Sequence, residues 1–427
     1  MDSDESSQLQ SQFSSYSVRN TVKRCAILVT IFLLGVFGVM VLIGVYHVLR
    51  RTPQEKLAQQ HSEQKDGPFP LRALRFDSRR GVIDDIDAAD GQVKSQSSIS
   101  ASSALGASSA STERVGASNG EPEQKVNANS VVAAPSTATP KQFVLLLHGL
   151  KSTADQWLPF VDAFLRQHVY DCVFIAPDLL GHGKSPWPDA RKTPHNVARH
   201  VACIDRLLSR LVPRNASLHI VGHSLGAMLA LEYAAHLCRR HVRSSKESAQ
   251  WRLCSLTLMS TPFFRSAQEA ESAAARHYSF WFRHKWLAHA MCGYLFCRQH
   301  WLWGPTLQRQ FNKRYPNLPP SMFTAAMQHS HDGIFSCAER CVLHHRGYKA
   351  AKAVRESGVP VLLVDGANDK LCDGTQQHLA EQLGSFVQRV TLPSAGHGFI
   401  VKQVDDAVMH VRPFIEAAAN MSLPIDT

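Results

Sequence analysis

From residue 143 onward the chain repeats one pattern: a short, wholly apolar run, then a longer stretch with helical spacing. The runs are Phe143–Leu147, Cys172–Ala176, Leu218–Val221, Leu256–Met259 and Val361–Val364, with a weaker alternating one at Val387–Leu392. Short runs without a polar face suit strands covered on both sides, and such strands belong to parallel sheets. Helix-like stretches at Trp157–His168, Asn196–Leu211 and Leu225–Arg239 separate the first of them, and Gln403–Ala419 follows the last. Strand alternating with helix predicts an α/β fold, a mostly parallel central sheet with helices on both faces.

The first 140 residues are different. A polar tail, residues 1–24, ends in Arg19, Lys23 and Arg24. Residues 25–49 are then free of Asp, Glu, Lys and Arg, and Arg50 and Arg51 close the run. A spanning helix needs about 20 apolar residues, and a cleavable leader has an apolar stretch of only about 7–15. The segment is therefore expected to be a single transmembrane helix, an N-terminal signal anchor. Basic residues flank both sides in similar number, so orientation cannot be read by the positive-inside rule. Residues 50–140 are expected to be a linker, charged in the first half (Asp84, Asp85, Asp87 and Asp90 among Arg75, Arg79 and Arg80) and Ser/Ala-rich in the second. Such composition buries too little apolar surface to offset the entropy of ordering. A short strand near Leu71–Phe76 is the one ordered element conceivable there. The folded domain is expected over 141–427.

The formal charge is +11. No run of Lys and Arg interleaved with aromatics marks a nucleic-acid module, so an anionic membrane surface suits this charge better. Ten cysteines without a C-x-x-C pair make no disulfide framework and do not fix the compartment.

Chemistry is concentrated where one apolar run meets a helix, at Gly222-His223-Ser224-Leu225-Gly226. The glycines allow a tight strand-to-helix turn that exposes the serine hydroxyl, and the backbone N–H of Leu225 falls at a helix N-terminus, where it can donate to an oxyanion. A serine hydroxyl needs a neighbouring base. The chain has 22 histidines, so position decides. His397 follows the last strand-like run, and Asp369 lies in the turn after Val361–Val364; loops at the carboxyl ends of strands are where such sheets gather their sites. Asp365 and Asp373 are rivals for the acid, one still at the strand end and the other beyond the turn.

From Phe143 to the C-terminus the chain resembles the α/β-hydrolase superfamily, in its lid-containing serine esterase and lipase branch. The resemblance is carried by His148-Gly149 with Trp157, by Asp178–Ser185 (DLLGHGKS), by Gly222–Gly226, by Gly366–Asp369 and by Gly396-His397, in that order. It implies catalytic Ser224, Asp369 and His397, a second oxyanion N–H from Leu150, and structural roles for His148, Asp178, His182 and Ser185. It implies no cofactor and no metal. Relatives in this superfamily usually have a hairpin just before the position of Phe143, and this chain has low-complexity sequence there.

The lid is expected at about 262–354. It holds four of the seven tryptophans (Trp281, Trp286, Trp301 and Trp303) with a basic fringe that includes Arg283 and Lys285. An apolar, aromatic surface edged with cations suits a hydrophobic acyl ester at an anionic membrane; packing of the lid itself would use the same residues. Cys292, Cys297, Cys337, Cys341, His344 and His345 could be assembled into a zinc site, but their spacings fit known metal motifs poorly. The expected activity is hydrolysis of a carboxylic ester through an acyl-enzyme on Ser224. The alternatives are acyl transfer or thioester hydrolysis on the same residues, and a non-catalytic binding protein on the same fold. The substrate itself and the oligomeric state are not legible.

Overall fold

The computed structural model describes residues 35, 38, 70–78, 82–87, 92–98, 142–166, 171–243, 251–274, 284, 300–314, 323 and 327–421. At its centre is a nine-stranded sheet in the order β3-β2-β1-β5-β4-β6-β7-β8-β9. Strands β4 (Gln142–Leu147), β5 (Cys172–Pro177), β6 (Ala216–His223), β7 (Trp251–Met259), β8 (Val361–Gly366) and β9 (Val387–Leu392) are all parallel to their neighbours among these six. They begin and end within a few residues of the six apolar runs.

Both faces of this sheet are covered, which explains why the runs lack polar positions. Along β4, Phe143, Leu145 and Leu147 point into one core with the helices Val197–Leu211 and Leu225–Arg243. Val144 and Leu146 point into the other, with the helices Leu158–Leu165 and Val404–Asn420. Each fully buried side chain of this size contributes about 1.5–3 kcal/mol. A polar residue on either face would forfeit that.

The N-terminal part of the sheet corrects the expectation of a linker over 50–140. β1 (Ala73–Asp77), β2 (Val82–Ile86) and β3 (Val93–Ser98) form an antiparallel meander, and β1 runs antiparallel to β5. They supply the strands missing before Phe143, in the region where a strand near Leu71–Phe76 was conceivable. Charged composition misleads here because the charges are paired in place. Arg72, 4% exposed, donates through Nε to Asp85 at 2.6 Å and through Nη1 to Asp178 at 3.3 Å. Asp84, 1% exposed, accepts from Gln96 Nε2 at 2.9 Å.

The segment expected to cross a membrane, residues 25–49, lies outside the described residues apart from Gly35 and Gly38, both helical. Among the described residues no helix is long and apolar enough to cross a membrane.

Between β7 and β8 the chain leaves the sheet, and part of this insertion returns over the strand ends. Gly183 N donates to Gln328 O at 2.6 Å and Ser330 N to Gly181 O at 2.9 Å. A Cβ on Gly333 would lie 2.2 Å from Gly181 O, so the two backbones touch. The lid aromatics Trp281, Trp286, Trp301 and Trp303 fall on side chains outside the described set.

Two outcomes test this architecture. If β1–β5 pairing and the Arg72–Asp178 contact hold the meander, a protease site built into residues 99–141 and cut once leaves both pieces co-eluting on a sizing column, though they separate on a denaturing gel. Separation under native conditions would refute it. The second concerns acid. Burial opposes ionisation of Asp85, but hydrogen bonds and charge from Arg72 and Lys184 outweigh it and bring its pKa from 3.8 down to about 2. A carboxyl that titrates lower in the folded than in the unfolded chain adds stability that is complete above about pH 4 and fades as pH falls toward 2. Asp85→Asn is expected to lower the melting temperature at pH 7 and to flatten its decline between those values, as followed by circular dichroism.

Candidate active site

Strand β4 has β5 on one side and β6 on the other, so the chain reverses its direction of winding there. Crevices for ligands open at the carboxyl ends of strands at such a point. The carboxyl end of β6 carries Ser224, whose φ is +55°, in the left-handed region. For a non-glycine residue that conformation costs roughly 1–2 kcal/mol. The turn is held by Ser224 N donating to Met259 O at 2.9 Å and Ala227 N donating to Ser224 O at 2.9 Å. A Cβ on Gly222 would lie 2.4 Å from Gly226 O, and one on Gly226 would lie 2.1 Å from Leu147 O. Both glycines are thus steric requirements of the turn.

Ser224, His397 and Asp369 meet although the base and the serine are 173 residues apart. Ser224 Oγ donates to His397 Nε2 at 2.9 Å, and His397 Nδ1 donates to Asp369 Oδ2 at 2.9 Å. The other carboxylate oxygen of Asp369 accepts from the backbone N–H of Leu371 at 3.0 Å and of Cys372 at 3.1 Å. Burial opposes the charge on Asp369, but the bond and charge of His397, with the Cys372 N–H, hold its pKa below the ordinary value. The acid turn and the base loop are fixed to each other: Asn368 N donates to Ala395 O at 2.8 Å, and a Cβ on Gly366 would lie 2.3 Å from the same oxygen. The rival carboxylates are elsewhere. Asp365 accepts from Arg389 Nη2 at 3.1 Å and Thr391 Oγ1 at 2.8 Å, and Asp373 is exposed.

Leu225 opens its helix, where the first N–H groups have no intrahelical acceptor. Leu150 follows β4, and the preceding Gly149 passes so close that its Cβ would lie 3.3 Å from Ser224 Cβ. Gly149 and Leu225 are therefore beside the serine, and Leu150 is the next residue after Gly149. His148, Asp178, His182 and Ser185 shape the loop behind it. Asp178 Oδ1 accepts from Ala154 N at 2.8 Å and Oδ2 from Lys184 N at 2.9 Å, while Ser185 Oγ donates to the Asp178 carbonyl at 2.6 Å and accepts from Arg72 N at 3.0 Å. His148 Nε2 accepts from Leu179 N at 2.9 Å, and burial pushes its pKa down.

Three neighbours escaped the sequence reading. His223 Nε2 donates to His397 O at 2.8 Å, and its Nδ1 accepts from Gln156 Nε2 at 3.4 Å. Burial, with His397 nearby, brings the His223 pKa down to about 3, so its ring stays neutral and can hold both bonds. The signal was available, since His223 lies inside the Gly222–Gly226 motif. Cys372, 4% exposed, donates its thiol to Ser260 O at 3.2 Å and lies 3.9 Å from His397 Nδ1. Nothing in its spacing pointed there. The lid residues whose spacing fits metal motifs poorly do not converge on one another among the described residues: Cys337 faces His200 Nε2 at 3.2 Å, Cys341 donates to His195 O at 3.3 Å, and His345 Nε2 bonds Glu232 Oε1 at 2.6 Å. Cys292 and Cys297 lie outside the described residues.

The chain is 25% identical over 263 residues to Probable lysophospholipase BODYGUARD 4 of Arabidopsis thaliana, a match covering 57% of each chain. It is 33% identical over 92 residues to Lipase LipV of Mycobacterium tuberculosis, covering 22% of this chain and 31% of that one. These matches thus span little more than half, or less, of the relatives' own length. Among solved structures, a carboxylesterase of Nitrososphaera gargenis is similar with a TM-score of 0.49 at 14% identity, covering 66% of this chain and 92% of that chain. A profile of the alpha/beta hydrolase family matches residues 144–410, from the strand before Gly149 to the helix after His397. That span is more than half of the chain, and the protein belongs to the alpha/beta hydrolase family.

Proposed function

We propose that the chain is a serine hydrolase that cleaves a carboxylic ester with a hydrophobic acyl part, such as a lipid ester. The observation that carries this reading is the unbroken hydrogen-bond line Ser224–His397–Asp369 beside a serine in the left-handed region. Ser224 Oγ attacks the acyl carbonyl carbon while His397 Nε2 takes the hydroxyl proton. Asp369 keeps the Nδ1 proton in place and balances the imidazolium that forms. The N–H groups of Leu225 and Leu150 receive the oxyanion; a single donor of this kind is worth about 10²–10³ in rate. His397 passes its proton to the leaving alcohol, then activates the water that releases the acid from Ser224.

The lipid side of the proposal draws on the names of the relatives, a probable lysophospholipase and a lipase. It also draws on residues 25–49, an apolar run of spanning length, and on the net charge of +11. In this reading the run anchors the chain in a membrane and keeps the domain next to its substrate.

Fluorophosphonate labelling of the full chain, with hydrolysis of medium-chain nitrophenyl esters, tests the chemistry. Ser224→Ala and His397→Ala each remove labelling or nearly all turnover, and the double variant is little worse than either single one. Asp369→Asn loses about 10⁴ in rate by imposing the wrong tautomer on His397. Asp365→Asn, whose carboxylate faces Arg389 and Thr391, keeps the parent rate. Ester hydrolysis by Ser224→Ala would end the proposal. The membrane part has its own measurement, since the full chain is expected to stay in the pellet when membranes are washed in alkaline carbonate. Release into the wash would rule out the anchor.

A further inference from the structure

Behind the Asp369–His397 hydrogen bond is a third donor that the hydrolytic reaction does not use. The donor atoms of Asp369, Cys372 and His397 all lie within 4.8 Å of one another. We propose that these three side chains form an inhibitory binding site for zinc or a similar borderline-soft divalent cation. The inhibitory effect rests on the serine-hydrolase reading above; the binding does not.

The chemistry of the donors selects the ion. A thiolate, an imidazole nitrogen and a carboxylate oxygen are the three ligand types zinc takes, whereas magnesium and calcium call for shells of oxygen. Tetrahedral zinc, with bonds near 2.0–2.3 Å, places its nitrogen and oxygen ligands about 3.3 Å apart and its nitrogen and sulfur ligands about 3.6 Å apart. The corresponding separations here are 2.9 Å for His397 Nδ1 to Asp369 Oδ2 and 3.9 Å for His397 Nδ1 to Cys372 Sγ. Adjustments of about half an ångström or less bring both pairs into register, within the freedom of side-chain rotation.

Three further features favour the site. The turn holds Cys372 in position: its N–H bonds the Asp369 carboxylate at 3.1 Å, its carbonyl accepts from Thr375 Oγ1 at 2.8 Å, and its thiol bonds Ser260 O at 3.2 Å. The His397 side chain is 29% exposed, so one side of the cluster borders solvent while Asp369 and Cys372 are buried. Charge also balances, because one dication with one thiolate and one carboxylate is neutral overall. A neutral cluster avoids the desolvation cost that an isolated ion would meet at this depth.

Binding follows a defined proton balance. The Cys372 thiol loses its proton to solvent as the Zn–S bond forms. His397 stays neutral, but Nδ1 now donates its lone pair to the metal and the ring hydrogen moves to Nε2. An Nε2 that carries hydrogen cannot accept the proton of Ser224 Oγ, so the nucleophile is not activated. The metal thus stops turnover by fixing the opposite tautomer of the base, without touching the serine.

The test compares the full chain with Cys372→Ala and Cys372→Ser, whose side chains lie outside the proton path and whose basal ester hydrolysis is expected to match the parent. Added ZnCl₂ inhibits the parent, and in both variants the midpoint of inhibition rises by about 100-fold or more, the scale on which metal affinity responds to changes around a site. CoCl₂ reads binding independently of turnover: the parent shows a thiolate-to-cobalt charge-transfer absorption that both variants lack. Equal zinc inhibition and equal cobalt absorption in parent and variants would overturn the site. Loss of the absorption with Cys372, in a parent whose hydrolysis ignores zinc, would overturn the inhibitory role. A Cys372-dependent cobalt absorption in a protein that turns over without Ser224 would leave the site standing and refute the serine-hydrolase reading instead.

Discussion

Among the described residues, the closest backbone approach at a glycine is between the end of β4 and the first turn of the helix Leu225–Arg243. The two come so close that even a methyl group on Gly226 would collide with the Leu147 carbonyl. A glycine this early in a helix costs about 1 kcal/mol against alanine. In return, Gly149 is brought against Ser224, where an added Cβ would lie 3.3 Å from the serine Cβ. The serine at the end of the neighbouring strand β6 sits in the left-handed region. On the other flank, Gly366 does for the acid turn and base loop what Gly226 does for the serine.

A second, polar contact joins the start of the sheet's first strand to the loop after β5. Asp178 is 1% exposed and satisfies two backbone N–H groups, while its own carbonyl receives Ser185 and its carboxylate receives Arg72. An isolated charge at this depth would be prohibitive, and the pairing with Arg72 makes it tolerable. Because Arg72 directly precedes β1, the ion pair also sets where the meander joins the parallel strands. The loop after β5 and the start of β1 are therefore parts of one hydrogen-bonded unit.

How much of this could be read beforehand depended on the range of the interaction involved. The six parallel strands were legible because burial on both faces writes an unbroken apolar run into each, as in Phe143–Leu147. Ser224 was legible because its turn needs glycines at fixed, local offsets. His397 and Asp369 were picked only through their place after successive strands; the structure brings both to Ser224 and has Asp365 bonded to Arg389 instead. The meander was misread, since Asp84 and Asp85 look like solvated linker until Gln96 is brought to the first and Arg72 and Lys184 to the second. Gln156 and Cys372 left no mark at all. Their partners are set by tertiary proximity, which no local spacing encodes.

The meander has a consequence for the chain's behaviour in company. β5 (CVFIAP) is entirely buried and apolar, and without β1 its row of N–H and C=O groups would stand open as a template for other chains. β1 covers that row, β2 covers β1, and the sheet ends at β3 (VKSQSS), whose Lys94 and Gln96 are exposed. At the far margin β9 presents Arg389 and Gln388 in the same way. A charged or amide-rich margin is a poor substrate for strand addition. The three early strands are therefore a guard against edge-to-edge aggregation, and the wholly buried β5 is kept from ever being a border.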